Sequence, residues 1–189
     1  MPVRPIVRLG HPALRTAAEA LDPQRVHDDD VQALIDDLID TMHDANGVGL
    51  AAPQIGIGLQ LFIWRAITAR TDPEAVPEAP VRTVINPMLE PLSGALVTDW
   101  EGCLSIPDLR GLVPRRPAVR LHGLDRRGEP MALTLEDYEA RIVQHEYDHL
   151  NGIVFLDRMP DLRSLAFRDE WQAYLTVADD APGPDPTVG

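Results

Sequence analysis

Two histidines four residues apart, in the run His145-Glu146-Tyr147-Asp148-His149, constrain this chain more than any other feature. On an α-helix, positions i and i+4 lie one above the other on one face, so both imidazoles can reach a single cation. Glu146 then lies beside it, where a water molecule would need a base. The local sequence predicts that helix. Thr134 followed by Asp137 reads as a capping box, Leu135, Tyr138 and Ile142 continue in register with the histidines, and Asn151-Gly152 supplies a left-handed stop. The imidazoles therefore fall on the buried stripe. A histidine on such a stripe is more often an ordinary core residue, and five-residue patterns recur by chance, so the pentapeptide needs support from elsewhere.

A catalytic zinc-type site takes three protein ligands and keeps a fourth position for water. The metzincin pattern would place a third histidine six residues after His149, but Phe155 stands there and excludes that class. A thermolysin-like peptidase would take a glutamate from a later helix, for which Glu170 is the candidate. The competing ligand is Cys103, the chain's one cysteine, set in Glu101-Gly102-Cys103-Leu104-Ser105. A lone cysteine is commonly a small buried hydrophobe, although a glycine, a carboxylate and a thiol together suit a ligand loop.

A third segment, Gly47-Val48-Gly49-Leu50-Ala51-Ala52-Pro53-Gln54, is too poor in charge for an ordinary surface loop. Its small residues would let backbone approach a ligand, and Gln54 offers an amide. With these three segments in this order the chain resembles the peptide deformylases, whose motifs are G-x-G-x-A-A-x-Q, E-G-C-x-S and Q-H-E-x-D-H. Every motif position is matched, Gln144 included, and the resemblance runs from about Val7 to Met159.

The resemblance implies an α+β fold of short antiparallel sheets around a central metal-binding helix, with a C-terminal helix. It implies that Cys103, His145 and His149 hold one divalent ion, Fe2+ in the native enzyme, with Zn2+, Ni2+ or Co2+ in purified protein. Glu146 would be the general base and then the acid, and the Gln54 side chain and the Leu104 backbone N–H would donate to the developing oxyanion. The substrate implied is an N-formylmethionyl nascent peptide, cleaved to formate and a free methionine. By position Val48, Gly49, Tyr138 and Ile142 would line an apolar slot for the methionine side chain, with Arg110 at the rim. Glu101, Asp148 and Arg115 could orient the ligands from behind, although isolated charges of this kind are usually solvated.

Composition agrees and removes rivals. The 17 basic residues are all arginine, which excludes a Walker-type phosphate loop and a lysine Schiff base. A formal charge of −13 argues against direct nucleic-acid binding. Some relatives are thought to dock on the ribosome through a basic C-terminal helix. From Leu156 onward this chain has three arginines against seven acidic residues, so only a transient association is expected. No apolar leader follows Met1-Pro2-Val3 and no membrane-spanning run occurs, so the sequence reads as a soluble cytoplasmic protein.

Along the chain, 44% hydrophobic residues over 189 positions suffice for one domain, expected over 1–178 with a disordered tail at 179–189. An amphipathic helix is predicted over 28–45, with Val31, Leu34, Ile35, Leu38, Ile39 and Met42 on one face. Strands are predicted over 59–65, 81–86, 95–100, 118–124 and 131–133, the last two joined by a turn at Asp125-Arg126-Arg127-Gly128. The Pro- and acid-rich stretch 66–80 reads as a surface loop, and 162–177 as a last helix.

Overall fold

The computed structural model describes residues 3–67 and 79–176. Most of the expected 66–80 loop and the whole of the expected tail lie outside them. Helix α1, Asp29–Asp44, buries Val31, Ile35, Leu38 and Met42 and carries Asp29 and Asp30 in its first turn, where the helix dipole favours negative charge. It stops because Asn46 turns left-handed (φ 51°). That lets the Gly47 N–H bond the Met42 carbonyl at 2.8 Å and the Asn46 N–H bond that of His43 at 3.1 Å, so two end carbonyls are satisfied.

The chain then forms β1 (Gly49–Ala51), a 3-10 turn at Ala52–Ile55, β2 (Leu61–Arg65) and β3 (Val81–Pro91). β4 (Val97–Cys103), β5 (Ile106–Arg115), β6 (Ala118–Leu124) and β7 (Pro130–Glu136) follow. The named strands pair antiparallel throughout, in a five-stranded sheet ordered β1-β2-β3-β6-β7 and a three-stranded sheet ordered β4-β5-β8, where β8 is the short strand Ala166–Phe167. This is the expected α+β class.

Helix α2, Asp137–Leu150, lies against the first sheet and carries both motif histidines. It starts differently from the sequence expectation. Thr134 lies in β7 opposite Arg120 and caps nothing, because the strand continues to Glu136 and the chain turns abruptly at Asp137 (φ 51°), whose N–H bonds the Pro117 carbonyl at 2.8 Å. Cross-strand pairing wins over the local capping signal. Its end is as expected: Gly152 is left-handed (φ 70°), and the Ile153 N–H bonds the Asp148 carbonyl at 3.0 Å. One apolar cluster under α2 joins Ile142, Val143 and Leu150 to Phe62 and Trp64. There the buried Trp64 indole N–H donates to Glu139 at 2.8 Å.

Three further differences have local causes. β5 escapes a period-based reading because Pro107, Gly111 and Pro114 interrupt it, yet β4 pairs with it from Val97↔Arg115 to Cys103↔Ile106. The small-residue segment expected as a loop contains strand β1. The expected last helix is short: α3 spans Arg168–Glu170 and continues in wide turns over Trp171–Leu175, because the preceding Ala166 and Phe167 pair with Arg110 and Leu109 instead.

β3 breaks register between Ile85 and Met88, where Asn86 is left-handed (φ 51°). Its amide clamps the N-terminal arm, accepting from the Leu21 N–H at 2.8 Å and donating to the Leu21 carbonyl at 2.7 Å. Asn86→Ala removes both bonds and leaves two half-buried backbone groups unpaired. Urea unfolding should show a loss of about 2–3 kcal/mol.

Candidate metal centre

Helix α2, the β4–β5 hairpin and the β1 segment meet at one point. Sγ of Cys103 at the end of β4 lies 3.3 Å from His149 Nε2, and the ligand atoms of Cys103, His145 and His149 all lie within 4.8 Å of one another. The two imidazoles stand edge to face with centroids 5.0 Å apart, and His145 stacks on Phe155 at 6.5 Å. His149 is fully buried. One thiolate and two imidazoles are a donor set for zinc or ferrous iron.

The orientation of His145 follows from its neighbours. Its Nδ1 faces Glu101 Oε2 at 2.9 Å, and a carboxylate there assigns the ring proton to Nδ1, leaving Nε2 as a lone-pair donor. Burial pushes the Glu101 carboxyl up, but the charge of Arg115 and the hydrogen bonds from His145 and Arg115 outweigh it and hold it well below the usual carboxylate range. Burial also pushes both imidazoles down. His149 falls well below its ordinary value, whereas hydrogen bonds and charge from Cys103 and Glu101 raise His145 well above its own.

Glu101 is the centre of a buried ion network. Arg115 forks onto it, with Nε to Oε1 at 2.9 Å and Nη2 to Oε2 at 3.0 Å, and Arg141 Nη1 reaches Oε1 at 2.8 Å. Arg115 Nη1 also bonds Asp148 at 2.5 Å, and Asp148 accepts from Arg158 at 2.7 and 3.1 Å. The carboxylates and Arg115 are therefore not solvated charges, contrary to their usual fate, since each is about 95% buried. Arg141 went unassigned in the sequence. It stands four residues before His145, and an arginine on the buried stripe of a metal helix is itself the signal. Its bonds to the carbonyls of Val113 at 2.8 Å, Val97 at 2.7 Å and Asp99 at 3.5 Å tie α2 to the hairpin.

Glu146 is buried against Gly49, where a Cβ built on the glycine would come within 2.8 Å of the carboxyl carbon. Burial pushes the Glu146 carboxyl up to about 7, helped by Glu101 and opposed by His145 and Arg115. Its Oε2 has no hydrogen-bond partner among the described residues, an unpaired acceptor of the kind folded proteins otherwise avoid. Gln54 is buried with its Oε1 fixed by the Ala51 N–H at 2.8 Å, which turns its Nε2 toward Cys103 Sγ (3.6 Å) and Ser105 Oγ (3.4 Å). Leu104 follows Cys103 and faces Gly47.

Of the expected slot residues, Val48, Tyr138 and Ile142 share one apolar cluster, and Gly49 adjoins Glu146. Arg110, expected at the rim, lays its guanidinium over Gly102, next to the ligand Cys103. Glu170 is exposed in α3 and takes no part in the ligand cluster, so the thermolysin-like arrangement is not formed.

The family model described as polypeptide deformylase matches residues 3–164. Peptide deformylase 1 of Nitrosomonas europaea is 42% identical over 178 residues, which cover 94% of this chain and 99% of that protein. Peptide deformylase 2 of Nostoc sp. is 42% identical over 174 residues, or 91% and 94% of the two chains. Among solved structures, a Met-Ala-Ser-bound class I type b peptide deformylase from Acinetobacter baumannii is similar at a TM-score of 0.76 and 34% identity, covering 84% of this chain and 99% of that one. A peptide deformylase from Synechococcus elongatus in complex with actinonin gives 0.75 and 35%, covering 96% and 88%.

Arg115 bridges two buried carboxylates, so its removal strips Glu101 and Asp148 each of a charged partner. Arg115→Met should destabilise the fold by roughly 3–5 kcal/mol in chemical denaturation. Metal affinity, read by competition with a chelator, should fall about 10- to 100-fold, because Glu101 then no longer fixes His145.

Proposed function

The chain belongs to the polypeptide deformylase family, hydrolases that remove the N-formyl group from nascent polypeptides, and on that premise we propose how its own residues divide the work. The observation that carries the assignment is the convergence of the Cys103, His145 and His149 ligand atoms beside the buried, unpaired Oε2 of Glu146. Cys103, His145 and His149 hold one divalent ion, which when bound polarises the formyl carbonyl and makes nearby water more acidic.

Glu146 takes a proton from the attacking water at Oε2 and gives one to the departing amine nitrogen. A carboxyl raised toward neutrality suits both transfers, because its two protonation states are then close in free energy. The Gln54 Nε2–H group donates to the oxygen of the formyl group as negative charge develops there, joined by the Leu104 backbone N–H. A donor of this kind is typically worth about 2.7–4 kcal/mol of barrier. Val48, Tyr138 and Ile142 supply the apolar wall for the methionine side chain. Gly49 keeps the space beside Glu146 clear, since any larger residue would displace the carboxylate.

Ferrous iron is the proposed native metal, held through availability, since intrinsic affinity at such a site favours zinc. No helix among the described residues is long and apolar enough to cross a membrane. Encounter with formylated nascent chains would occur by transient association with the ribosome in the cytoplasm.

Formate release from formyl-Met-Ala-Ser, with metal analysis of the same anaerobic preparation, tests the reading. Cys103→Ala should lose metal and activity together, whereas Glu170→Ala should keep both, and the reverse would refute the ligand set. Glu146→Gln should fold and retain metal while turnover falls at least about 100-fold; near-normal turnover would exclude it as the base. One apo preparation reloaded with ferrous ion should turn over faster than the same preparation reloaded with zinc, and equal rates would count against iron.

A further inference from the structure

Gln54 can donate to a developing oxyanion without reorganisation only if its amide is held in one orientation. The torsion that turns a glutamine amide is broad, so a single anchor leaves the group free to swing. The Ala51 N–H supplies the first anchor, on Oε1 at 2.8 Å. The second comes from the turn between β4 and β5, where Gln54 Nε2 donates to Ser105 Oγ at 3.4 Å. Ser105 and Gln54 are 0% and 1% exposed, so bulk solvent stands in for neither contact.

An amide nitrogen carries two hydrogens. With one spent on Ser105, the other is left for the ligand side of the centre, where Nε2 lies 3.6 Å from Cys103 Sγ. The hydroxyl therefore fixes the plane of the amide and leaves one N–H beside the ligand atoms. The backbone keeps the pair at this separation. The N-terminal arm passes both segments, and its Val7 N–H bonds the Gln54 carbonyl at 2.8 Å while its Leu9 N–H bonds the Ser105 carbonyl at 2.9 Å.

We propose that Ser105 is a positioning residue: its hydroxyl, by accepting from Gln54 Nε2, aims the remaining N–H of that amide at the formyl oxygen. The inference rests on the deformylase reading and on the donor role given there to Gln54. Ser105 acts through Gln54, so it serves the chemical step and not substrate binding. A donor whose bond strengthens only as charge develops contributes to kcat and leaves KM alone.

The test measures formate release from formyl-Met-Ala-Ser by the metal-loaded protein. Ser105→Ala should lower kcat about tenfold with KM and metal content unchanged, a fraction of the roughly 100- to 1,000-fold that losing such a donor outright costs. In a Gln54→Ala background, Ser105→Ala should lower kcat no further. Ser105→Cys fills almost the same space with a weak acceptor, so its kcat should fall between those of wild type and Ser105→Ala, and it carries the test if the alanine variant fails to fold. An unchanged kcat in the variant that folds, a loss confined to KM or metal content, or an equal loss in the Gln54→Ala background would overturn the positioning role. Full kcat in Gln54→Ala would remove the donor through which Ser105 acts and would overturn it too. A wild-type protein that releases no formate from this peptide would instead overturn the deformylase reading.

Discussion

Everything at the metal centre depends on how one carboxylate, Glu101, is held. Its two oxygens receive Arg115, Arg141 and His145, and these come from β5 and from two successive turns of α2. A carboxylate this deeply buried is costly on its own, and three donors on it offset the desolvation. The return is geometric. With Glu101 fixed, the proton of His145 sits on Nδ1, Nε2 is free to ligate, and β4 is tied to α2 where Cys103 must meet His149.

Burial pushes up both acidic groups nearest the centre, yet they end on opposite sides of the ordinary carboxylate range because only one of them is paired with arginines. Glu101, surrounded by arginines, stays ionised and orients a ligand. Glu146, one residue beyond His145, has no such partner and is pushed toward neutrality, where it can exchange a proton. Gly49 makes the second arrangement fit, because its missing side chain lets β1 lie directly on the Glu146 carboxyl. The hairpin bearing Cys103 thus has two unlike faces. The inner face carries Glu101 and Cys103, and the outer face carries Trp100 and Arg110, since side chains alternate along a strand.

Much of this was legible in order along the chain. The i, i+4 histidines require a helix to act together, and Gly152 stops that helix where the sequence places its left-handed residue. The apolar period of α1 and the turn at Gly128 also appear as read. Misreadings arose where long-range pairing overrode a local signal. Thr134 has capping chemistry but is held in β7, Pro107, Gly111 and Pro114 hide a strand that pairing with β4 sustains, and β8 takes residues from the expected last helix.

The sequence by itself determined the chemistry available: a thiol, two imidazoles at helical spacing, a glutamate between them and an amide, in three segments whose residue types and order mark the family. Those are properties of side chains and local periodicity, which a linear text records. Only the tertiary structure decided that Cys103 and not Glu170 meets the histidines, that Arg115, Arg141 and Asp148 are buried supports rather than solvated charges, and that Arg110 lies over the Trp171 ring. Each of these depends on which distant segments share one small volume. Burial and pairing fix that volume, and no local pattern encodes it.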